Sequence, residues 1–377
     1  MTSAVEAVAA ACAGVDGPVL ALHVPTMRRN AADLVRRAAG TTVRIASKSV
    51  RCRWVLEDVL ARDGVHGVMA YSPREARWLV DQGVDDVLLG YPSVDRAGLA
   101  SLQDAPVTLM VDDLAQLEFA PPGAAVCLDV DASLRLGRIH LGVRRSPLRT
   151  PEQVAELAGR VAARGFRVRG VMFYEAQVAG LPDTSPAVRL VKRLSLRDLA
   201  NRRGAVVRAV KAEVGSVDLV NSGGSGSVAA SASDPVVTEV TAGSGLYVPT
   251  LFDAYRSFRP HPSLFFALPV VRRPVAGVVT AAFGGYVASG PPGLNRVPTP
   301  VWPRGLKLLK TEATGEVQTP LRGAGELTVG DAVWFRAAKA GEVCERFEAV
   351  HLVDDTGAGP AVVDVVPTYR GEGRCFG

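Results

Sequence analysis

From about residue 19 to residue 247 the chain alternates short β-rich apolar runs with helical stretches, and that beat constrains its fold more than any other feature. The runs are VLALHV ending at Val24, VRIAS ending at Ser47, HGVMAYS from His66, DVLLGY from Asp86, VTLMVD from Val107, AVCLDVD from Ala125, VRGVMFY from Val168, DLVNS from Asp218 and VVTEV from Val236. Helical patterns such as 28–39, 53–61, 73–81 and 151–163 separate most of them, with proline near several starts and glycine past the ends. Alternation of this kind predicts an α/β fold, a parallel sheet covered by helices. Eight such strands close into a (β/α)8 TIM-type barrel of about 250 residues, so a ninth run must lie elsewhere. Beyond residue 260, β-type runs (VAGVVTAAF, LKLLKTEA, AVWFRA, AVHLV, AVVDVV) alternate with Pro- and Gly-rich segments and no good helix, which predicts a C-terminal all-β domain. The expected division is 1–24, a segment whose strand joins the β domain, 25–255, the barrel, and 256–377, the C-terminal β domain.

Composition narrows the function classes. With 43 Lys plus Arg against 38 Asp plus Glu, the net charge of +5 is small and spread along the chain. Neither nucleic acid nor an anionic membrane is required as a partner. The cysteines, Cys12, Cys52, Cys127, Cys344 and Cys375, are odd in number and form no CxxC pair, so they read as reduced thiols. No secretory leader and no membrane-spanning apolar stretch is evident, which makes the cytoplasm the expected compartment. The histidines show no HExxH spacing, against a zinc hydrolase of that type.

In a barrel the active face is built from residues just past each strand. Counted from VRIAS, these are Lys48, Tyr71, Tyr91, Asp112, Asp131 with Arg135, Tyr174 with Glu175 and Gln177, the loop 221–227, and 241–247. Lys48 would aim an amine into the mouth. Such an amine, when desolvated, becomes a nucleophile able to form a Schiff base, whereas the bland reading is a solvated lysine. The loops NSGGSGS (221–227) and TAGSGLY (241–247) follow the last two strands, where barrels hold phosphate. Gly223, Gly224, Gly226 and Gly243 let the backbone approach an anion, the neighbouring serines offer hydroxyls, and a helix start there would add its positive end.

Taken together, VRIASK, DVDASLRLG, GVMFYEAQVAG, LVNSGGSGS, TEVTAGSGLY, GEVQTP, AKAGEVCERF and PTYRGEG resemble the bacterial amino acid deaminase/aldolase proteins. These belong to the alanine-racemase-like, fold type III pyridoxal-phosphate group that includes D-threonine aldolase and D-serine dehydratase. The resemblance runs from about residue 18 to the C-terminus. It implies pyridoxal 5'-phosphate as cofactor, a homodimer, a site between barrel and β domain, and a first strand that belongs to the β domain. By position, Lys48 matches the Schiff-base lysine, Gly223, Gly224, Gly243 and Ser244 the phosphate cradle, Arg135 an arginine at the cofactor face, and Tyr369 a tyrosine reaching the phosphate. Tyr71, Asn221, Ser222, Thr241 and Tyr247 complete the expected cofactor-binding set. Two departures stand out. Thr241-Ala-Gly replaces the arginine that meets the pyridine nitrogen in alanine racemases, and the segment where relatives bind a divalent metal offers Glu342 and Cys344 without a histidine, leaving the metal open.

The implied activity is a lyase acting on a small, D-configured β-hydroxy amino acid, by aldol cleavage or by dehydration with loss of ammonia. Lys48 would serve as base, with Tyr174 and Glu175 handling the β-hydroxyl proton. The alternatives are a racemase using Tyr286 or Tyr369 as second base from a partner subunit, a non-catalytic pyridoxal-phosphate carrier, and a sugar-phosphate barrel enzyme.

Overall fold

The computed structural model describes residues 3–259 and 261–376. The first strand, β1 (Val19–His23), lies outside the barrel. Next come β2 (Thr42–Ala46), β3 (Val65–Ala70), β4 (Val87–Leu89), β5 (Val107–Val111), β6 (Ala125–Asp129), a small hairpin of β7 (Leu134–Leu136) and β8 (Ile139–Leu141), then β9 (Arg167–Phe173), β10 (Leu219–Ser222) and β11 (Glu239–Ala242). The parallel order β10-β11-β2-β3-β4-β5-β6-β9 closes into a barrel. Strands sandwiched between a filled interior and a ring of helices are mostly buried on both faces, which is why they read in the sequence as predominantly apolar runs. All of β5 is buried, for example.

The covering helices form where the sequence supplies caps. Pro73–Asp81 begins after Ser72, whose hydroxyl accepts from the Glu75 amide at 3.3 Å, and it buries Ala76, Trp78 and Leu79. Pro151–Ala163 starts on a capping box between Thr150 and Gln153. The helix expected over 28–39 starts earlier, at Val24, because Pro25 suits the first turn and the His23 imidazole caps the Thr26 amide. At the barrel's N-terminal end the fully buried Arg44 lies 2.7 Å from both Asp86 and Glu239, and Arg169 is 2.7 Å from Asp86. Burial pushes Asp86 up, but the guanidiniums of Arg169 and Arg44 outweigh it and hold the carboxyl at about 2.

The remaining strands are β12 (Leu264–Val275), β13 (Val278–Ala282), β14 (Thr299–Trp302), β15 (Lys307–Leu308), β16 (Gln318–Arg322), β17 (Ala332–Arg336), β18 (Ala349–Asp354) and β19 (Ala361–Pro367). They form a nine-stranded sheet in which β1 is central. It runs antiparallel to β12, with Val19 opposite Ala267, and parallel to β18, with Ala21 opposite His351. LKLLKTEA contributes only two residues of strand, while the long β12 was absent from the expected runs. A helix, Ala4–Ala11, opens on a Ser3–Glu6 capping box and packs Val8 on Val19 and Phe265.

The sheet region is pressed against the barrel mouth at the turn carrying Lys48. A Cβ on Gly341, whose φ is +51°, would fall 2.1 Å from the Lys48 carbonyl oxygen. The Tyr369 amide donates to the Arg51 carbonyl at 3.0 Å, and Arg51 pairs with Glu345 at 2.9 Å.

Candidate active site

A cavity of about 450 Å³ opens at the C-terminal ends of the barrel strands and is walled on one side by the sheet region. Lys48 enters it from the 3-10 turn Ser47–Ser49 directly after β2, a turn fixed by the Ser47 hydroxyl donating to the Met69 carbonyl at 2.9 Å. Its ammonium donates to the Tyr91 hydroxyl and lies 5.0 Å from that ring's centroid. The Arg145 guanidinium stands 5.9 Å from the Tyr91 ring and 5.5 Å from the Tyr174 ring, so cations and aromatic faces alternate along this wall. Lys48 is exposed rather than desolvated, a difference from the sequence expectation: aromatic faces, not an apolar pocket, surround its amine.

The two glycine loops meet beside Lys48. Asn221 ties the ends of β10 and β11 together by donating to Glu239 (2.6 Å) and to the Thr241 hydroxyl (2.7 Å). The Ser225 hydroxyl then accepts from the amides of Gly243 (3.3 Å) and Gly245 (2.9 Å), linking one loop to the other. A Cβ on Gly243 would sit 2.6 Å from the Ala46 carbonyl oxygen, so glycine is what lets this loop lie against the end of β2. Ser244 donates to Ser49 at 3.0 Å, closing the circuit back to the lysine turn. The helices after the loops, Val228–Ala232 and Ser244–Tyr247, are short. Anion attraction therefore comes from side chains instead of the expected helix dipole: Lys48, Arg51, Arg145 and Lys339 line the cavity against one carboxylate, Glu342. A cation-rich cleft with backbone loops, hydroxyls and a reachable amine fits a phosphorylated aldehyde such as pyridoxal phosphate.

Of the residues singled out in the sequence, Lys48, Tyr174, Asn221, Gly223, Gly224, Thr241, Gly243 and Ser244 line this cavity. The others lie elsewhere. Glu175 is fully buried, accepting from the hydroxyls of Ser222 (2.9 Å), Ser227 (2.7 Å) and Ser231 (2.5 Å) and from the Gly223 amide (3.2 Å). It anchors the first glycine loop from below. Ser222 belongs to the same buried group, with Arg203 donating to it at 2.6 Å. Tyr247 donates to the Val50 carbonyl at 3.1 Å inside the core. Tyr71 lies under the Arg51 guanidinium at 5.2 Å. Arg135, on the exposed β7 hairpin, turns to Asp131 at 2.7 Å. Tyr369 is buried edge-on to Trp78 at 4.9 Å, its hydroxyl beside Glu75, whose carboxyl burial raises to about 7.

The pair left open for a metal does not assemble. Cys344 is buried in the core, where desolvation pushes its thiol up, and Glu342 accepts from Ser289 instead. Among the described residues, no group of three or more His, Cys, Asp or Glu could hold a metal ion. The charged and phenolic cavity residues that escaped the expected set include Tyr91, named only as a strand-end residue, and Arg51, Arg145 and Lys339. Arg145 follows a hairpin rather than a strand, so position past a strand end gives no signal for it. Among the described residues no helix is long and apolar enough to cross a membrane.

Comparison with known proteins adds a family context. A sequence profile described as "Alanine racemase, N-terminal domain" matches residues 22–250. The fold is similar to that of D-threonine aldolase from Filomicrobium marinum, with a TM-score of 0.78 at 20% identity over 95% of this chain and 96% of that one. D-threo-3-hydroxyaspartate dehydratase from Delftia sp. HT23 gives a TM-score of 0.72 at 17% identity, covering 94% and 98%. An alanine racemase of Clostridium difficile 630 gives 0.63 at 13% identity, covering 94% and 99%. At such identities these are likenesses of fold. No curated protein matches the sequence.

Proposed function

The chain belongs to the alanine racemase N-terminal domain family, and on that premise we propose that it is a pyridoxal-phosphate-dependent lyase acting on small, D-configured β-hydroxy amino acids. One observation carries the reading: the Lys48 amine stands in a cationic cavity where both glycine loops converge. The names of two fold neighbours, an aldolase and a dehydratase of D-amino acids, support the substrate class. Lys48 would hold the cofactor covalently through Nζ, and the loops around Gly223, Gly224, Gly243 and Ser244 would take its phosphate, with Arg51 and Arg145 supplying countercharge. When bound, the cofactor withdraws electrons from the amino acid's Cα. The Lys48 amine, once free, is the base placed to take a proton at Cα. Tyr174 faces the cavity with its phenol raised by burial and by neighbouring Tyr91, so it remains a protonated donor. Glu175 has no part in proton transfer, since its oxygens are committed to the loop beneath.

Racemisation draws no support from the placement of Tyr369 and Tyr286, the candidate second bases. Tyr369 is buried, and Tyr286 packs on Phe266 and Phe347 at 5.3 and 5.8 Å. A carrier role is weakened by Lys339 and Glu342, polar groups that the sheet region adds to the cavity. The same reading takes the protein as a cytoplasmic homodimer. Absorption spectra of wild type and Lys48→Ala with pyridoxal phosphate, followed by D-threonine, D-serine and D-alanine, test it. A band near the visible edge in wild type, missing in the variant and perturbed by a β-hydroxy amino acid, is expected. No band in either protein would sink the proposal and favour a sugar-phosphate barrel.

A further inference from the structure

The sheet region contributes one amine to the cavity. Lys339 lies in the loop after β17 and donates to the Ser289 hydroxyl at 2.7 Å. Ser289 in turn donates to Glu342 through its hydroxyl (2.6 Å) and its backbone amide (2.8 Å), and the Lys339 ammonium is 3.8 Å from that carboxylate. The chain of donors has one direction, ammonium to hydroxyl to carboxylate, and it fixes where the ammonium points. Its placement relative to Lys48 is fixed as well. Gly341, two residues on, sits so close to the Lys48 carbonyl that no side chain fits between them. Arg296 and Lys48 are the other charges that act on Lys339.

We propose that Lys339 is a catalytic residue that meets the β-oxygen of the substrate and protonates it as it leaves, so that the enzyme is a dehydratase rather than an aldolase. This rests on the lyase reading above. Retro-aldol cleavage needs a base to remove the β-hydroxyl proton while the Cα–Cβ bond breaks. Dehydration needs an acid: the Cα proton passes to Lys48, its electron pair forms the Cα–Cβ double bond, and the Cβ–O pair departs with oxygen, which takes the Lys339 proton and leaves as water. The enamine left behind tautomerises to an imine, and water hydrolyses that to a 2-oxo acid and ammonia, with no oxidant or reductant consumed. A charged donor held by Ser289 and Glu342 serves the second course and opposes the first. Burial lowers the Lys339 amine, with Arg296 and Lys48 repelling its proton and Glu342 retaining it, which makes it a better acid near neutrality.

The test uses the full chain loaded with pyridoxal phosphate, as wild type, Lys339→Met and Lys339→Arg, titrated spectroscopically with D-serine and with D-alanine, which lacks the hydroxyl. Wild type should release pyruvate and ammonia from D-serine. Lys339→Met should keep the cofactor band and its affinity for D-alanine, bind D-serine about tenfold or more weakly, and lose roughly 10²-fold or more in turnover. Lys339→Arg should recover D-serine affinity but not turnover, because guanidinium donates hydrogen bonds without giving up its proton. Wild-type turnover in Lys339→Met, equal weakening of both amino acids, or glycine and formaldehyde as the wild-type products would each overturn the inference. A wild type without a cofactor band would refute the lyase reading itself, a result separable from these.

Discussion

Replacing Glu175 distinguishes an anchor from a catalyst. Its carboxylate is fully buried and receives three hydroxyls and one amide, with Arg203 at 3.5 Å. Glu175→Ala leaves those donors facing a void and removes the negative charge beside a buried guanidinium. Breaking a buried ionic group in this way costs about 3–5 kcal/mol. For a cooperative unit the size of this barrel, each kcal/mol lowers the thermal midpoint by roughly 2–4 °C, so a fall of about 6–20 °C is expected by calorimetry. Glu175→Gln, which keeps the shape and one acceptor oxygen, should fall between wild type and alanine. Both variants should also weaken pyridoxal phosphate, because the Gly223 amide and Ser227 hydroxyl lose the partner that sets their loop. If either variant kept the wild-type midpoint and cofactor affinity yet lost turnover, Glu175 would have to reach the substrate and the anchoring argument would be wrong.

Gly341→Ala forces a Cβ against the backbone of the lysine turn, and should cut turnover by tenfold or more while Lys48 still binds the cofactor, as steady-state kinetics beside a spectrum will show. Arg145→Met should weaken cofactor binding with little change in thermal midpoint, since Arg145 is exposed and makes no hydrogen bond or ion pair within bonding distance among the described residues; an unchanged dissociation constant would count against its role. Glu75 supplies a pH test. Burial raises its carboxyl from 4.5 to about 7, so the folded state favours the protonated form. Its stabilising contribution is complete below pH 4.5 and is lost as pH rises through 7, by up to about 3 kcal/mol. Glu75→Gln should therefore gain on wild type in thermal midpoint between pH 5 and pH 8, and a constant difference across that range would contradict the assignment.

The barrel was legible because its strands are largely buried on both faces, so most left a mainly apolar run, as all of β4 and β5 did, even where single polar residues such as Arg44 interrupt it. The helix Pro73–Asp81 was readable to the residue because Ser72, Pro73 and Gly83 punctuate it. Other segments gave weaker signals. In β15, charged residues and short length leave little pattern, and the hairpin β7–β8 is mostly exposed. At the site, the strand-end argument found the right neighbourhoods but not always the right side chain. Tyr174 and Glu175 follow the same strand, yet one lines the cavity and the other lies beneath a loop; Asn221 and Ser222 divide likewise. Successive residues of an extended chain face opposite ways, and sequence alone does not say which faces inward. Arg135, matched by resemblance, lies in β7 of a hairpin the pattern does not reveal and pairs with Asp131, while Arg145, beyond that hairpin, lines the cavity.

Because β1 is central in a sheet whose other strands all follow the barrel, the order of synthesis and the order of assembly conflict. Val19 leaves the ribosome long before Ala267, and Ala21 before His351, the residues that will flank them. Throughout translation of the barrel this strand, fully buried in the folded protein, has no strand neighbours to bond, and a strand with bare edges is an invitation to pair with another chain. Release from the ribosome, rather than completion of the barrel, is therefore the moment at which the sheet can close and the catalytic cleft acquire its second wall. A chain ending before residue 264 would lack the cavity wall that Ser289, Lys339 and Glu342 supply and would leave both edges of β1 unpaired.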